Sequence, residues 1–108
     1  MSDFTINEMR KMQNQLQDRY KDKWEPISPE TGKNKILWMI GETGEVIDII
    51  KKHGHDAIMN NPELKHHLIE EMTDVLMYYN DVLNCFNIST EDLKQTYTSK
   101  YNKNMNRW

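Results

Sequence analysis

Apolar side chains recur at spacings of three and four residues through nearly the whole chain, which is the repeat of an amphipathic α-helix. The clearest example is the first predicted helix, whose apolar stripe consists of Met9, Met12, Leu16 and Tyr20. No segment alternates apolar and polar residues as a half-buried strand does. The pattern predicts an all-α protein with four principal helices, packed as a bundle in a single domain over residues 1–108.

Capping residues and helix breakers predict where each helix begins and ends. Thr5 and Glu8 have the spacing of a capping box, Asn61 precedes a proline, and Ser89 begins a further capping pattern. The stretch 24–32 holds two prolines and one glycine, so we expect a loop there. The predicted helices cover about residues 5–20, 33–52, 62–86 and 89–106, with a short connector over 53–61.

The chain has few aliphatic residues for its length. Leu, Ile, Val and Phe together make up 22 of 108 residues, which is close to the lower limit for folded domains. A core this small predicts that a second subunit covers part of the apolar surface, so we expect a homo-oligomer. Gly41 and Gly44 lie inside the second predicted helix, where Gly44 would allow a neighbouring backbone to approach closely.

Charge and composition exclude several classes of protein. A formal charge of -3 and a pI near 5.8 lack the basic bias of a protein that binds a nucleic-acid polymer. The longest apolar run covers residues 36–40, which is too short to cross a membrane, and the first residues show no signal-peptide pattern. The single cysteine, Cys85, cannot form an internal disulfide, so we expect a reduced, cytoplasmic protein.

Two pairs of carboxylates lie inside the two most apolar predicted helices. Glu42 and Glu45 share one face of the second helix, and Glu71 and Asp74 repeat this spacing on the third. Acidic side chains among core residues are costly unless a cation compensates them, and all-oxygen ligands suit Mg²⁺ or Mn²⁺. The spacing therefore predicts a divalent metal site, with solvated charges on amphipathic helices as the alternative.

The segments around these pairs resemble those of the MazG-like nucleotide pyrophosphohydrolases. Ile40–Val46 and Glu70–Tyr78 match that family's Glu-x-x-Glu motif, spacer and Glu-x-x-Asp motif. The Gly-Glu-x-Gly-Glu form, and a Tyr four residues after the Asp, are most similar to the small dCTP pyrophosphatase-like branch. The resemblance extends over about residues 24–107 and implies an all-α homodimer or homotetramer.

The resemblance implies that the chain is an enzyme. It would cleave a (deoxy)nucleoside triphosphate between its α- and β-phosphates to a monophosphate and pyrophosphate, in removal of non-canonical nucleotides or control of the dNTP pool. The metal-binding and catalytic residues would be Glu42, Glu45, Glu71 and Asp74. Mg²⁺, with Mn²⁺ as a substitute, would bridge phosphate oxygens and lower the pKa of water. Glu45 is the candidate for accepting the proton of that water.

A third match lies near the carboxyl end. Lys100, Asn104 and Arg107 follow the family's Lys-x-x-x-Asn-x-x-Arg pattern and would share one helix face. The resemblance implies a clamp for the phosphates and sugar of the substrate, since cations beyond the metal are needed to bind a triphosphate. The alternative is a solvated basic helix end that the helix dipole favours.

Four residues are candidates for contacts with the base or sugar. Trp24 and Asn34 precede the second helix, where the dCTP branch places residues that contact the base. Trp38 lies four residues before Glu42 and could stack on a base, while packing in the core is the alternative. Tyr78 could donate a hydrogen bond to the sugar or base.

A di-iron protein and a non-catalytic adaptor are the alternatives to a nucleotide pyrophosphohydrolase. A di-iron bundle uses two Glu-x-x-His motifs, and the sequence has a single match at residues 63–66. A non-catalytic helical adaptor that retains a MazG-like metal site is the alternative function. Such an adaptor would be expected to have lost part of the acidic set or of the clamp, and both are complete in this chain.

Overall fold

The computed structural model describes residues 3–107, which form helices joined by turns. The helices are α1 (Ile6–Arg19), α2 (Gly32–His53), α3 (His55–Asn60), α4 (Pro62–Cys85) and α5 (Thr90–Met105), with a 3-10 turn at Pro29–Thr31 before α2. Within residues 3–107 there is no strand, so the predicted all-α class with four principal helices is confirmed. None of the described helices combines the length and apolar character needed to cross a membrane.

Three of the helices, α1, α4 and α5, begin where their capping patterns predicted. Thr5 Oγ1 accepts a hydrogen bond from the Glu8 amide at 3.1 Å, and the Glu8 carboxylate accepts one from the Thr5 amide at 3.3 Å. The side chains of Asn61 and Ser89 cap α4 and α5 in the same way, each at 3.0 Å. These caps satisfy amides that the first turn of a helix leaves without partners.

The predicted connector over residues 53–61 is corrected, because most of it forms the short helix α3. Gly54 ends α2 with a φ of 81°, a left-handed conformation that glycine adopts with little strain. The chain then turns back so that α3 packs on α2 and α4 and buries Ile58. A six-residue segment is too short to show a helical repeat.

The core lies mainly where α2 packs against α4 and where α1 packs on α4. It is small, because the buried apolar residues among those described are Ile49, Ile58, Leu83 and Cys85. At the start of α2, a Cβ on Gly32 would overlap the ring of Phe86, which explains the glycine there. At Gly41 or Gly44 a Cβ would meet no heavy atom within 4 Å, so the approach expected at Gly44 does not occur within one chain.

The last helix, α5, extends away from the other helices. None of its residues is buried, and Tyr97 and Met105 are 74% and 64% exposed. Its first turn is held by the Thr90 hydroxyl, which bonds to Asn7 and Arg10 of α1. The radius of gyration is 16.4 Å, whereas a compact domain of this length has one of about 13 Å. In a single chain, therefore, the bundle consists of α1, α2 and α4.

Candidate functional site

The two carboxylate pairs meet between α2 and α4. One oxygen from each of Glu42, Glu45 and Glu71 lies within 4.8 Å of the other two. Asp74 is outside this group of three, but it is close enough to raise the pKa of both Glu42 and Glu71. The fold thus brings together the four carboxylates that the sequence spacing singled out.

Burial and mutual repulsion disfavour the charged forms of this acidic cluster. The pKa of Glu42 is raised first by burial and then by repulsion from Glu45. The pKa of Glu71 is raised first by a carboxyl–carboxylate hydrogen bond with Glu45 and then by burial. His67, whose Nε2 lies 3.4 Å from Glu71 Oε1, acts in the opposite direction on the Glu71 pKa. A nearby positive charge would reverse these shifts.

Two oxygens of the acidic cluster have no hydrogen-bond partner. Glu42 Oε2 and Glu71 Oε2 are shielded from solvent, and neither accepts a hydrogen bond from residues 3–107. A buried acceptor without a partner destabilises the fold, and a hard cation that prefers oxygen ligands supplies what is missing. Because every donor in the set is a carboxylate oxygen, the residues fit Mg²⁺ or Mn²⁺ better than a softer metal.

A pocket of about 430 Å³ adjoins the acidic cluster at Asp74, and this volume is within the usual range for small-molecule sites. Its apolar wall combines residues of α1, the following turn, α2 and α4, namely Leu16, Trp24, Trp38, Met77 and Tyr78. Trp24 is stacked on Tyr20, with ring centroids 4.8 Å apart. An aromatic wall of this kind suits a flat, partly apolar ligand.

The predicted base-contacting residues occupy different places around the pocket. Trp24, Trp38 and Tyr78 line it, and Trp38 is 60% exposed, so Trp38 does not pack in the core of the single chain. Burial and neighbouring carboxylates raise the pKa of Tyr78, which keeps its hydroxyl protonated as a donor. Asn34 does not line the pocket, but its amide donates a 3.0 Å hydrogen bond to Glu25, which does.

Three buried polar residues in the pocket wall were not assigned a role from the sequence. Gln13 Nε2 donates to Asp81 Oδ1 at 3.1 Å, and Lys35 Nζ lies 3.7 Å from Asp81 Oδ2. Burial raises the pKa of Asp81, while Gln13 and Lys35 lower it. Lys35 precedes Glu42 by seven residues and Asp81 follows Asp74 by seven, so helical spacing places both beside the carboxylates. Gln13 offers no such signal, because its contact depends on how α1 packs.

The cationic residues near the carboxyl end lie elsewhere. Lys100 and Asn104 share a shallow depression on α5 with Tyr97 and Tyr101, as their spacing predicted. Arg107 follows the end of α5 and lines a different depression. None of these three residues lines the pocket beside the carboxylates.

A second, apolar groove runs along α2 and α4. It encloses about 770 Å³, and its lining includes Met39, Val46, Ile69, Met72, Leu76 and Tyr79. None of the four carboxylates of the acidic cluster lines it. Exposed apolar surface of this extent on a small protein marks an interaction surface.

The chain matches a known protein family over most of its length. The family model of the MazG nucleotide pyrophosphohydrolase domain matches residues 30–107, a range that contains α2 to α5 and all four carboxylates. No curated protein and no solved structure matches the chain.

Proposed function

The chain belongs to the MazG nucleotide pyrophosphohydrolase domain family, and on that premise we propose that it hydrolyses nucleoside triphosphates in a divalent-metal-dependent reaction. The products are a nucleoside monophosphate and pyrophosphate. The observation that carries the proposal is the acidic cluster, which has two shielded, unpartnered oxygens and lies beside a pocket with aromatic walls. A cytoplasmic location, where triphosphates and Mg²⁺ are abundant, is part of this proposal.

The residues that would hold the metal are Glu42, Glu45 and Glu71, with Asp74 next to them. When bound, Mg²⁺ or Mn²⁺ neutralises phosphate oxygens and lowers the pKa of water. By holding the cation at one place, the carboxylates would fix where the α–β anhydride of the triphosphate lies, because their own oxygens repel the phosphates. The adjoining pocket then receives the nucleoside.

Hydrolysis consumes one water and releases one proton. The water oxygen forms a bond to a phosphorus of the α–β anhydride, the bridging P–O bond breaks, and the bridging oxygen leaves with the other product. A carboxylate takes the proton from the water and returns it to solvent. Glu45 is our assignment for this base, because it is the exposed member of the acidic cluster, whereas Glu42 and Glu71 have shielded oxygens.

We propose that the site is completed by a second copy of the chain. Lys100 and Asn104 carry the charge and hydrogen bonds that a triphosphate needs, yet they lie on a helix that has no buried residue. The apolar groove and the exposed Tyr97 and Tyr101 provide surface for a partner. A homodimer or homotetramer would cover this surface and place α5 of one chain over the acidic cluster of another.

The resemblance of the Gly-Glu-x-Gly-Glu segment supports a place in the dCTP pyrophosphatase-like branch. Trp24 and Trp38 would stack on the base, Tyr78 would donate to the sugar or base, and Asn34 would hold Glu25 at the pocket wall. A biological role in removing non-canonical nucleotides or controlling dNTP levels follows from this activity. Stacking tolerates every base, so the aromatic residues alone do not select one.

A panel of canonical and modified nucleoside triphosphates tests the proposed activity. With Mg²⁺ present, at least one member should yield pyrophosphate, and chelation of the metal should stop its release. If no triphosphate is cleaved at high enzyme concentration, the activity is absent and the chain is better described as a non-catalytic helical adaptor.

Metal binding should also be visible without substrate. Mg²⁺ at ten times its Kd should stabilise the folded chain by about 1.4 kcal/mol, which corresponds to roughly 5–10 °C in Tm for a domain of this size. Glu42→Gln should abolish this Mg²⁺ effect, because the substitution removes a charged ligand. Thermal unfolding followed by circular dichroism, with and without Mg²⁺, gives the change in Tm for the wild type and for the variant.

Without metal, Glu42→Gln should be more stable than the wild type at neutral pH. The pKa of Glu42 is raised in the fold from its ordinary value of 4.5, so ionisation of this carboxyl destabilises the folded state as the pH rises through the raised pKa. The advantage of the variant should disappear below the ordinary pKa, where the carboxyl is protonated in both states. Equal Tm values for the two proteins at neutral pH would contradict the inferred repulsion.

A further inference from the structure

We propose, on the basis of the proposed function, that Asp81 and Lys35 recognise the hydrogen-bonding edge of the nucleobase and so determine which base the enzyme accepts. Gln13 is the positioning residue that orients Asp81. The ligand class is a nucleobase seated between the aromatic walls of the pocket, with its phosphates at the acidic cluster.

The position of Asp81 fits this role. It follows Asp74 by seven residues on α4, which places the two carboxylates about 10 Å apart along the helix, and both line the same pocket. A nucleotide spans a similar distance from its α-phosphate to the outer edge of its base. With the phosphates at Asp74, the base edge therefore reaches Asp81.

The polar groups at Asp81 are buried but incompletely paired. Asp81 and Lys35 are 6% and 9% exposed. Lys35 Nζ lies 3.7 Å from Asp81 Oδ2, and this contact with one carboxylate oxygen engages at most one of the three N–H donors of the ammonium group, so the others can be donated to a ligand. Gln13 fixes one carboxylate oxygen and leaves the other lone pairs of Asp81 to accept from a ligand.

A purely structural role accounts poorly for this arrangement. A buried ion pair contributes little net stability, and apolar residues of similar volume often replace one without loss. In a pocket wall the same pair offers an acceptor and a donor side by side, which is the pattern that the edge of a base complements. A base with the wrong pattern leaves buried groups unpaired and is rejected.

Binding of nucleosides tests the assignment without metal or catalysis. Adenosine with inosine, and cytidine with uridine, form two pairs in which an amino group replaces a carbonyl and reverses the donor and acceptor pattern. Quenching of tryptophan fluorescence reports binding, because Trp24 and Trp38 line the pocket. The wild type should bind one member of at least one pair about tenfold more tightly than the other.

The affinity ratio is the affinity for the preferred nucleoside of a pair divided by that for the other. The near-isosteric Asp81→Asn should lower this ratio by at least about tenfold, because it replaces an acceptor by a donor. Asp18→Asn is the matched control, since it makes the same change at an exposed residue of α1 and should leave the ratio unchanged. A ratio that persists in Asp81→Asn, or a wild type with no preference or no saturable binding, would overturn the assignment.

A second variant keeps the test decisive if Asp81→Asn does not fold. Asp81→Leu combined with Lys35→Met and Gln13→Leu replaces the buried ion pair and its hydrogen-bond partner by apolar side chains and is expected to fold. It should bind both members of each pair equally, and retention of the wild-type preference would contradict the proposal.

The nucleoside experiment and the triphosphate panel can refute the base-reading role and the proposed function separately. Base-selective binding that depends on Asp81, without release of pyrophosphate from any triphosphate, would count against the proposed function. Release of pyrophosphate with the same base preference in wild type and Asp81→Asn would leave the proposed function intact and refute the base-reading role.

Discussion

Replacement of Glu71 by Gln should lower kcat/KM for triphosphate hydrolysis roughly thousandfold, because it removes a proposed metal ligand from the one cluster among residues 3–107 whose carboxylates are close enough together to hold a cation. The substitution keeps the size of the side chain. It also removes a carboxyl group whose pKa is raised in the fold, so the folded chain loses no favourable charge. Helicity measured by circular dichroism should therefore be unchanged. Glu42→Ala and Asp74→Ala should give comparable losses of activity.

Glu70→Gln is the matched control for Glu71→Gln. Glu70 precedes Glu71 on α4, but its side chain is 63% exposed and lies 3.4 Å from His66 instead of in the acidic cluster. We expect its kcat/KM to stay close to that of the wild type. Equal losses in the two variants, or full activity in Glu71→Gln, would contradict the assignment of the site.

Mixing two inactive variants should restore activity if α5 acts on the acidic cluster of another subunit. One variant is Glu71→Gln, and the other combines Lys100→Ala with Asn104→Ala, which removes the charge and hydrogen bonds proposed to hold the phosphates. In randomly mixed dimers, half are hybrids and each hybrid has one intact site, so roughly a quarter of the wild-type activity should return. Dissociation, mixing and reassembly followed by a pyrophosphate assay measures this recovery.

The control for this experiment is a mixture of two single variants, Glu71→Gln and Glu42→Gln. Both substitutions damage the same half of the site, so no hybrid contains an intact site and no activity should return. Recovery in neither mixture, together with light scattering that shows a monomer, would refute the proposed role of a second copy.

Local features of the fold could be predicted because they depend on neighbours in sequence. The caps at Thr5, Asn61 and Ser89 each satisfy an amide two or three residues away, so residue types alone reveal them. The path of α5 depends instead on contacts between distant segments. Tyr97 and Tyr101 lie four residues apart on α5 and remain exposed in one chain. No local rule shows whether such an apolar stripe is covered by its own chain or by another.

The residues of the candidate site could likewise be predicted only where the signal is local in the sequence. Helical spacing and a family resemblance identified the four carboxylates, because each pair lies one turn apart on its own helix. The cluster of Gln13, Lys35 and Asp81 was missed because it joins three helices, and its members lie 22 to 68 positions apart in the sequence. Only the packing of α1 against α4 brings Gln13 to Asp81.

Product analysis by phosphorus NMR tests the central claim most directly. A triphosphate that is cleaved in the panel is incubated with the wild type and Mg²⁺, and the phosphorus-containing products are identified and quantified. The account predicts nucleoside monophosphate and pyrophosphate in equal amounts, with neither formed by Glu71→Gln. Nucleoside diphosphate with inorganic phosphate, or equal turnover by Glu71→Gln, would contradict it.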